Sequence, residues 1–169
     1  MNQSESYIFD VLNRYSNTGV WKFFEVKNEL GNTEPQAKNY GSGFVSYPDF
    51  EFYSDEKLML LVEVKGYTGF FEQKSNTLAM KYRCYKNYKQ VRVNEDVDVR
   101  LCFSIDFPQG IVIVFWESID NIIKFPKYIQ KHTFLEYDYK LKRMVKKTED
   151  FIYWNSENFR TDEENLPLL

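Results

Sequence analysis

An unbroken apolar run at residues 58–62 is the feature that most constrains how this chain can fold. Side chains alternate between the two faces of a strand, so a short run with no polar face fits a strand buried on both sides. Polar residues follow it directly, at Glu63 and Lys65. The sequence therefore predicts a central strand with charged groups at the end of a hydrophobic core.

A hairpin is predicted to join this strand to the one before it. Residues 44–53 have strand character, and residues 54–57 predict a tight connection. Glu63 and Lys65 share one strand face because they are two residues apart, and the antiparallel partner can bring Asp49 beside them. We expect two carboxylates and an ammonium group to converge there.

The remaining elements follow from hydrophobic periodicity and turn residues. We expect a helix at residues 4–15, a strand at 20–27 and a loop at 28–43. Further expected elements are a helix at 74–90, strands at 97–107 and 111–116, a partly helical stretch at 117–130 and a fraying acidic end around 161–164. The order αβββαββ indicates an α/β (α+β) fold.

Length and composition bound the class of protein. With 169 residues, 43% hydrophobic and 18% aromatic, we expect a single domain with a substantial core. The net charge of −3 and pI near 5.3 count against nucleic-acid binding, although local fields decide steering and a metal cluster itself requires carboxylates. Because no apolar stretch approaches the ~18 residues of a membrane span, we expect an intracellular, cytoplasmic protein without a membrane partner.

Several catalytic classes lack their required residues. The sequence has no Gly-x-x-x-x-Gly-Lys loop, Gly-x-Ser-x-Gly elbow or His-Glu-x-x-His pair, which argues against ATPases, α/β-hydrolases and zinc proteases. Cys84 and Cys102 have no metal-binding spacing, so we expect free, buried thiols. The only histidine, His132, has no partner at metal spacing and is predicted to lie on the surface.

The converging residues suit a divalent cation. Mg²⁺ prefers oxygen ligands, so Asp49 and Glu63 can hold one or two ions, helped by the main-chain carbonyl of Val64, and Mn²⁺ can substitute. A bound metal lowers the pKa of water, while Lys65 can orient that water and stabilise the pentacovalent phosphate. The alternative is a solvated Glu63–Lys65 ion pair worth under ~1 kcal/mol. The preceding apolar run favours the hydrolytic site.

These residues resemble the signature of the PD-(D/E)XK nuclease superfamily, whose two halves match Pro48-Asp49 and Glu63-Val64-Lys65. In that family the Pro-Asp pair opens the second strand of an αβββαβ core and the Glu-x-Lys triplet ends the third. The resemblance covers residues 4–116 and leaves 117–169 as a C-terminal extension. It implies a restriction-endonuclease-like fold, a mixed central sheet flanked by helices, and Mg²⁺-dependent cleavage of DNA.

Within the superfamily, the N-terminal part is similar to archaeal Holliday-junction resolvases. The similarity consists of a helix bearing a glutamate, a strand, and a Gly-Ser-Gly loop at residues 41–43, followed by Pro-Asp. It implies that Glu5 also serves the metal. Glu25 and Glu51 remain competing third carboxylates, and Glu51 shares the strand face of Asp49.

The predicted helix at residues 74–90 carries a partial match to a second motif. RecB-type members have Gln-x-x-x-Tyr on the helix after the lysine, and here Lys81 and Tyr85 have that spacing, which implies an active-site role for Lys81. The candidates for DNA contact on this helix are Lys74, Arg83, Tyr85, Lys86 and Lys89. The alternative is a solvated basic face whose tyrosines pack on the sheet.

Two functions remain open from the sequence. One is an endonuclease that cuts DNA as a homodimer, because one site cuts one strand. The other is a catalytically inactive nuclease-fold module that binds DNA or another protein, which the acidic balance and the imperfect helix motif favour. In that case residues 151–154 could form an interface, although packing is the expectation. Loops set specificity, so the substrate structure and the process (repair, restriction, homing or phage DNA processing) stay open.

Overall fold

A computed structural model describes residues 1–27, 33–34, 36–68, 76–107 and 109–167. The helices are α1 (Gln3–Tyr15), α2 (Tyr82–Glu95) and α3 (Ile119–Ile122), and single 3₁₀ turns span Ser156–Asn158 and Glu163–Asn165. The strands are β1 (Val20–Phe23), β2 (Val26–Lys27), β3 (Thr33–Glu34), β4 (Ala37–Asn39), β5 (Phe44–Ser46), β6 (Phe50–Ser54), β7 (Lys57–Thr68), β8 (Thr77–Lys81), β9 (Asp98–Asp106), β10 (Val112–Ser118), β11 (Lys127–Asp138) and β12 (Arg143–Asn155).

Five strands form a mixed central sheet in the order β1-β6-β7-β9-β10. β7 is the middle strand, and it pairs antiparallel with β6 and parallel with β9. Its residues Leu60, Leu61 and Val62 have no exposed surface. The central strand, the hairpin and the mixed α+β class predicted from the sequence are therefore confirmed.

Both faces of the central sheet are covered, which explains why β7 lacks a polar face. On one face, α1 packs Ile8 and Leu12 against Leu60 and Val62. On the other face, α2 and a smaller sheet of β11, β12 and β8 enclose a second core. The second core includes Leu61, Tyr85, Tyr88, Leu101, Phe103, Ile152 and Trp154.

The smaller sheet is built on a long hairpin that the sequence did not predict. β11 and β12 pair over twelve positions, from Lys127 opposite Trp154 to Asp138 opposite Arg143, and β8 adds to the base of β12. At the base, Ile152 and Trp154 lie in the core, whereas the outer part of the hairpin is largely exposed. We call residues 127–155 the arm.

The predicted helix at residues 74–90 begins too early. Residues Thr77–Lys81 form β8, and α2 begins only at Tyr82. Leu78, Ala79 and Met80 are all buried against β12, so tertiary pairing overrides the local helical pattern. The partly helical stretch at 117–130 is reduced to the single turn of α3, because β11 starts directly after Pro126.

The predicted fraying of the acidic end is also wrong. Leu166 is fully buried in the core that α1 covers. The Tyr7 hydroxyl donates to the Glu163 carboxylate at 3.1 Å, and the Trp116 indole N–H donates to the Asp162 carbonyl at 2.9 Å. Residues up to 167 thus pack on the sheet, because these two hydrogen bonds hold the segment in place while the side chain of Leu166 is buried in the core.

Three smaller expectations can be compared with the structure. Residues 44–53 form two strands, β5 and β6, with a break at Tyr47–Asp49, and the predicted loop before them contains short strands. Cys84 and Cys102 are free thiols, the first half-buried and the second buried. No helix within the described ranges combines the length and hydropathy that a lipid bilayer requires.

Candidate active site

Asp49 stands where β6 stops pairing with β7. The last pair of that ladder on this side is Phe50 opposite Val62. One residue earlier, Asp49 turns its carboxylate to β7, and its Oδ2 accepts the Val64 N–H at 2.7 Å. The side chain thus extends the hydrogen bonding between the two strands by one step and is fixed at the end of the hairpin.

Glu63 and Lys65 lie beside this contact on the face of β7 that looks toward α2. Glu63 Oε1 and Lys65 Nζ form an ion pair. Asp49 is 4% exposed and Glu63 is 2% exposed, whereas the Lys65 side chain is 36% exposed. The structure therefore brings together the three residues singled out from the sequence, with both carboxylates buried and the Lys65 side chain partly exposed.

Burial and mutual charge set the protonation of this group. Burial and the neighbouring Glu63 carboxylate raise the pKa of Asp49 well above its ordinary value, while Lys65 and the Val64 N–H oppose the rise. Burial lowers the pKa of Lys65, but Glu63 and Asp49 outweigh it and hold that pKa above its usual range. Lys65 is consequently a stable ammonium, and the site has two carboxylates for one fixed cation.

This donor set fits a divalent metal ion. Buried carboxylates destabilise each other unless positive charge neutralises them, and Lys65 supplies only one charge. Asp49 and Glu63 offer hard oxygen atoms, which Mg²⁺ and Mn²⁺ accept as ligands. Within the described parts of the chain, no three His, Cys, Asp or Glu side chains come together as a metal-binding group, so the main chain or water would have to complete the coordination.

Tyr88 is a further residue of the site; the sequence placed it only among the tyrosines of the predicted helix, either facing DNA or packed on the sheet. Its side chain is buried, and its hydroxyl hydrogen-bonds to Glu63. Burial and the Glu63 carboxylate raise the pKa of Tyr88 well above its ordinary value, so the phenol stays protonated and holds its neighbour in place. Cys84, one helical turn earlier, lines the same cavity as Lys65. Their spacing of four residues places both side chains on one face of α2, which is the only signal for them in the sequence.

Lys81 and Tyr85, which the motif match selected, lie elsewhere. Tyr85 is 2% exposed and packs against Trp154 with ring centroids 5.3 Å apart, a place in the core that is incompatible with the predicted DNA contact. Lys81 Nζ bonds to Glu136 of the arm at 2.9 Å and lies 3.6 Å from Glu149. The helix motif therefore does not bring its two residues to the carboxylates of Asp49 and Glu63.

A cavity of about 220 Å³ connects Lys65 with Lys81. Tyr67 and Phe151 form aromatic walls of this cavity, and Cys84 contributes its thiol. Lys81 thus lines this cavity together with Lys65, and its ammonium is paired with Glu136 and Glu149 of the arm. The cavity gives the partly exposed side chain of Lys65 a route to the outside.

The three candidate third carboxylates differ in their surroundings. Glu5 closes a capping box at the start of α1, where it accepts from the Asn2 backbone N–H at 2.7 Å, yet its charge contributes to the raised pKa of Asp49. Glu51 instead accepts hydrogen bonds from the hydroxyls of Tyr47 at 3.0 Å and Tyr53 at 3.1 Å. Glu25 is exposed. Glu5 is the one whose field reaches the site.

The remaining predicted DNA contacts lie at the start of α2 or outside the described residues. Arg83 Nε donates to Glu149 of the arm at 3.1 Å. Lys86 and Lys89 rest over the rings of Tyr82 and Tyr85, at 4.9 and 5.1 Å from the centroids. Lys74 falls outside the described residues. His132 is exposed on β11, as predicted.

Comparison with protein-family models and with curated proteins found no match to this chain. The functional assignment therefore depends on the geometry of Asp49, Glu63 and Lys65 and on the fold that positions them.

Proposed function

We propose that this protein is a metal-dependent nuclease of the PD-(D/E)XK type that hydrolyses phosphodiester bonds in DNA. The observation that carries the proposal is the position of Asp49 beside Glu63 and Lys65 at the buried end of a hairpin. A solvated surface ion pair would not explain two carboxylates that are almost fully buried. Burying charge without a partner costs free energy, so a functional use of that charge is the better account.

The order of elements gives a second line of support. α1, β1, β6, β7, α2 and β9 follow one another as αβββαβ once the short strands β2–β5 and the strand β8 are treated as insertions. The central sheet places β7 between β6 and β9, so the Glu-x-Lys strand lies in the middle. This arrangement is the one expected of a restriction-endonuclease-like core, with residues 117–169 as its extension.

The site residues have separate roles in the proposed reaction. Asp49 and Glu63 would hold Mg²⁺ or Mn²⁺, with the Val64 carbonyl or water completing the coordination, and Glu5 could join them only by leaving its capping box. The bound ion would supply a water of lowered pKa and neutralise charge on the phosphate. Lys65 keeps its proton and can therefore orient the water and stabilise the pentacovalent phosphate. Tyr88 holds Glu63 in position.

DNA is the proposed substrate, and a homodimer is the proposed working form. A single site of this kind cuts one strand, so two copies related by symmetry would serve the two strands of a duplex or a junction. Arg83 and Lys86 supply positive charge beside the arm, and Lys89 adds charge farther along α2, where backbone phosphates could be held.

The test is cleavage of labelled single-stranded, duplex, flap and four-way-junction DNA with Mg²⁺ or Mn²⁺. Lys65→Ala should lose nearly all activity. Lys57→Ala, at the exposed opposite end of the same strand, should retain it. Activity that survives in Lys65→Ala would refute the assigned site.

Absence of cleavage by the wild-type protein with either metal would refute the enzyme. If DNA binding were then metal-independent and unchanged in Asp49→Ala, the protein would be an inactive nuclease-fold binding module instead.

A further inference from the structure

One face of the arm carries a row of aromatic rings. Tyr128 lies opposite Tyr153 across the β11–β12 ladder, and alternation along the two strands places three more rings on the same face. The ring row consists of Tyr128, His132, Phe134, Phe151 and Tyr153. Adjacent centroids are 4.9–6.5 Å apart, so the rings form one continuous surface.

The ring row lies on the outer face of the smaller sheet. The neighbouring residues Ile152 and Trp154 point to the opposite face, where they are buried in the core. Tyr128 is 55% exposed, His132 is exposed, and the other three rings are half-buried. Aromatic rings that pack against one another and still keep part of their surface exposed suit a flat aromatic ligand better than they suit solvent.

The ring row continues into the candidate active site. Phe151 is both a member of the row and a wall of the cavity that contains Lys65. Lys81, another residue of that cavity, lies over the ring of Phe134 at 4.7 Å. A ligand seated on the rings would therefore lie next to the cavity that the Lys65 side chain lines.

The two carboxylates nearest to the rings are paired with cations, which lessens their repulsion of a polyanion. Glu136 is held by Lys81 and Lys147, whose hydrogen bonds lower its pKa to about 2. Glu149 is held by Arg83 and Lys81. Three cations, Lys81, Lys147 and Arg83, thus pair with these two carboxylates, since Lys81 contacts both.

We propose that the ring row binds single-stranded nucleic acid by stacking of successive bases and delivers the strand to Lys65. Bases stack on aromatic side chains whatever the sequence, and each stack contributes appreciably to affinity. A duplex hides the faces of its bases, so it cannot use this surface. The inference replaces the duplex or junction substrate of the nuclease proposed above with an unpaired strand, and it depends on that proposal for the cleavage but not for the binding.

The experiment measures binding in EDTA, which removes cleavage from the readout. Fluorescence anisotropy of labelled oligothymidine should show binding, while an abasic oligonucleotide of equal length and charge should bind about tenfold more weakly or worse. A duplex of that length should also bind weakly. Equal affinity for the abasic strand would show that the phosphates alone are recognised and would overturn the inference.

Variants on the two faces of one strand provide a matched comparison. Tyr128→Ala with Phe134→Ala removes two rings of the row and should weaken oligothymidine binding about tenfold or more. Ile129→Ala with Leu135→Ala removes two exposed apolar side chains from the opposite face of β11 and should change the affinity less than about twofold. Circular dichroism would verify that both variants fold.

The outcomes separate the inference from the proposed function. Ring-dependent binding without cleavage in Mg²⁺ would support the ring row and refute the nuclease. Cleavage of duplex DNA with no ring-dependent binding would support the nuclease and overturn the inference about the ring row. A change of oligomeric mass in the Tyr128→Ala, Phe134→Ala variant, with oligothymidine affinity unchanged, would identify the row as a contact between copies of the chain and overturn the inference.

Discussion

The Asp49 carboxylate accepts the Val64 N–H at 2.7 Å and so takes the place of a strand residue that β6 no longer supplies. The Asp49 side chain therefore provides both a structural hydrogen bond and a negative charge. The two contributions can be separated by asparagine, because an amide oxygen can accept the same hydrogen bond without carrying the charge.

Asp49→Asn should stabilise the metal-free protein at neutral pH by about 1–2 kcal/mol, because it removes a buried charge and retains the acceptor for Val64. The pKa of Asp49 is raised in the folded state, so the folded protein holds the proton more tightly than the unfolded chain. Its contribution to stability is thus full below the ordinary pKa of 3.8 and declines as the pH rises toward the raised value. Urea unfolding of both proteins across pH 3–8 measures the difference.

The difference between the two proteins should be small in acid and grow as the pH rises. A gap that stays constant across the range would contradict the assignment of the raised pKa to Asp49. Saturating Mg²⁺ should raise the melting temperature of the wild type but not that of Asp49→Asn, since metal binding to the folded state stabilises it.

Tyr88→Phe should destabilise the protein by about 1 kcal/mol, because it removes the hydroxyl that bonds to the buried Glu63. It should also lower the affinity for Mn²⁺, since Glu63 loses a group that orients it. Tyr85→Phe is the control, because it lies three residues away in the same core and no hydrogen bond joins its hydroxyl to Glu63. Denaturant unfolding and Mn²⁺ titration should affect the first variant more, and equal effects would remove Tyr88 from the site.

Gly66→Ala should destabilise the protein by about 1–3 kcal/mol through overpacking. A Cβ at this position would come within 2.8 Å of Ser4 Cβ, so α1 would have to move away from β7 beside Lys65. Ser4→Gly should restore part of the loss in the double variant, because it removes the atoms that collide. Failure of Ser4→Gly to rescue stability would show that the cost of Gly66→Ala arises in β7 itself.

Leu166→Ala should cost about 2–5 kcal/mol, because this residue is fully buried in the core beneath α1. Leu135→Ala on the arm, where the side chain is 66% exposed, should change stability by less than about 0.5 kcal/mol. Thermal unfolding of the two variants checks the difference. A mild effect of Leu166→Ala would mean that the C-terminal turn is held by polar contacts alone.

The central hairpin was predictable because its signals are local. An apolar run with no polar face indicates a strand covered on both sides, and residues two apart share a face, so Glu63 and Lys65 could be placed from spacing alone. Asp49 followed from antiparallel pairing across a short connection. These steps need no knowledge of distant parts of the chain.

The start of α2 and the arm were not predictable in this way. Residues 77–81 form a strand because β12, some seventy residues later, offers a partner for their backbone groups. The same long-range packing directs Tyr85 to Trp154 and Tyr88 to Glu63, a choice that helical spacing does not decide. Leu166 was assigned to a fraying end because its acidic neighbours dominate the local pattern, whereas a cation from β9, Arg100, holds its carbonyl.

The unequal lengths of β8 and β12 have a consequence for motion. β8 supports only the stretch of β12 from Phe151 to Asn155, so from Asp150 outward the arm is a two-stranded ribbon. Isolated ribbons of this kind have little stability of their own. Amide hydrogens should therefore exchange fastest near Asp138 and Arg143 and slowest near Trp154, and the free energy of local opening should decrease steadily from the base of the arm to its tip.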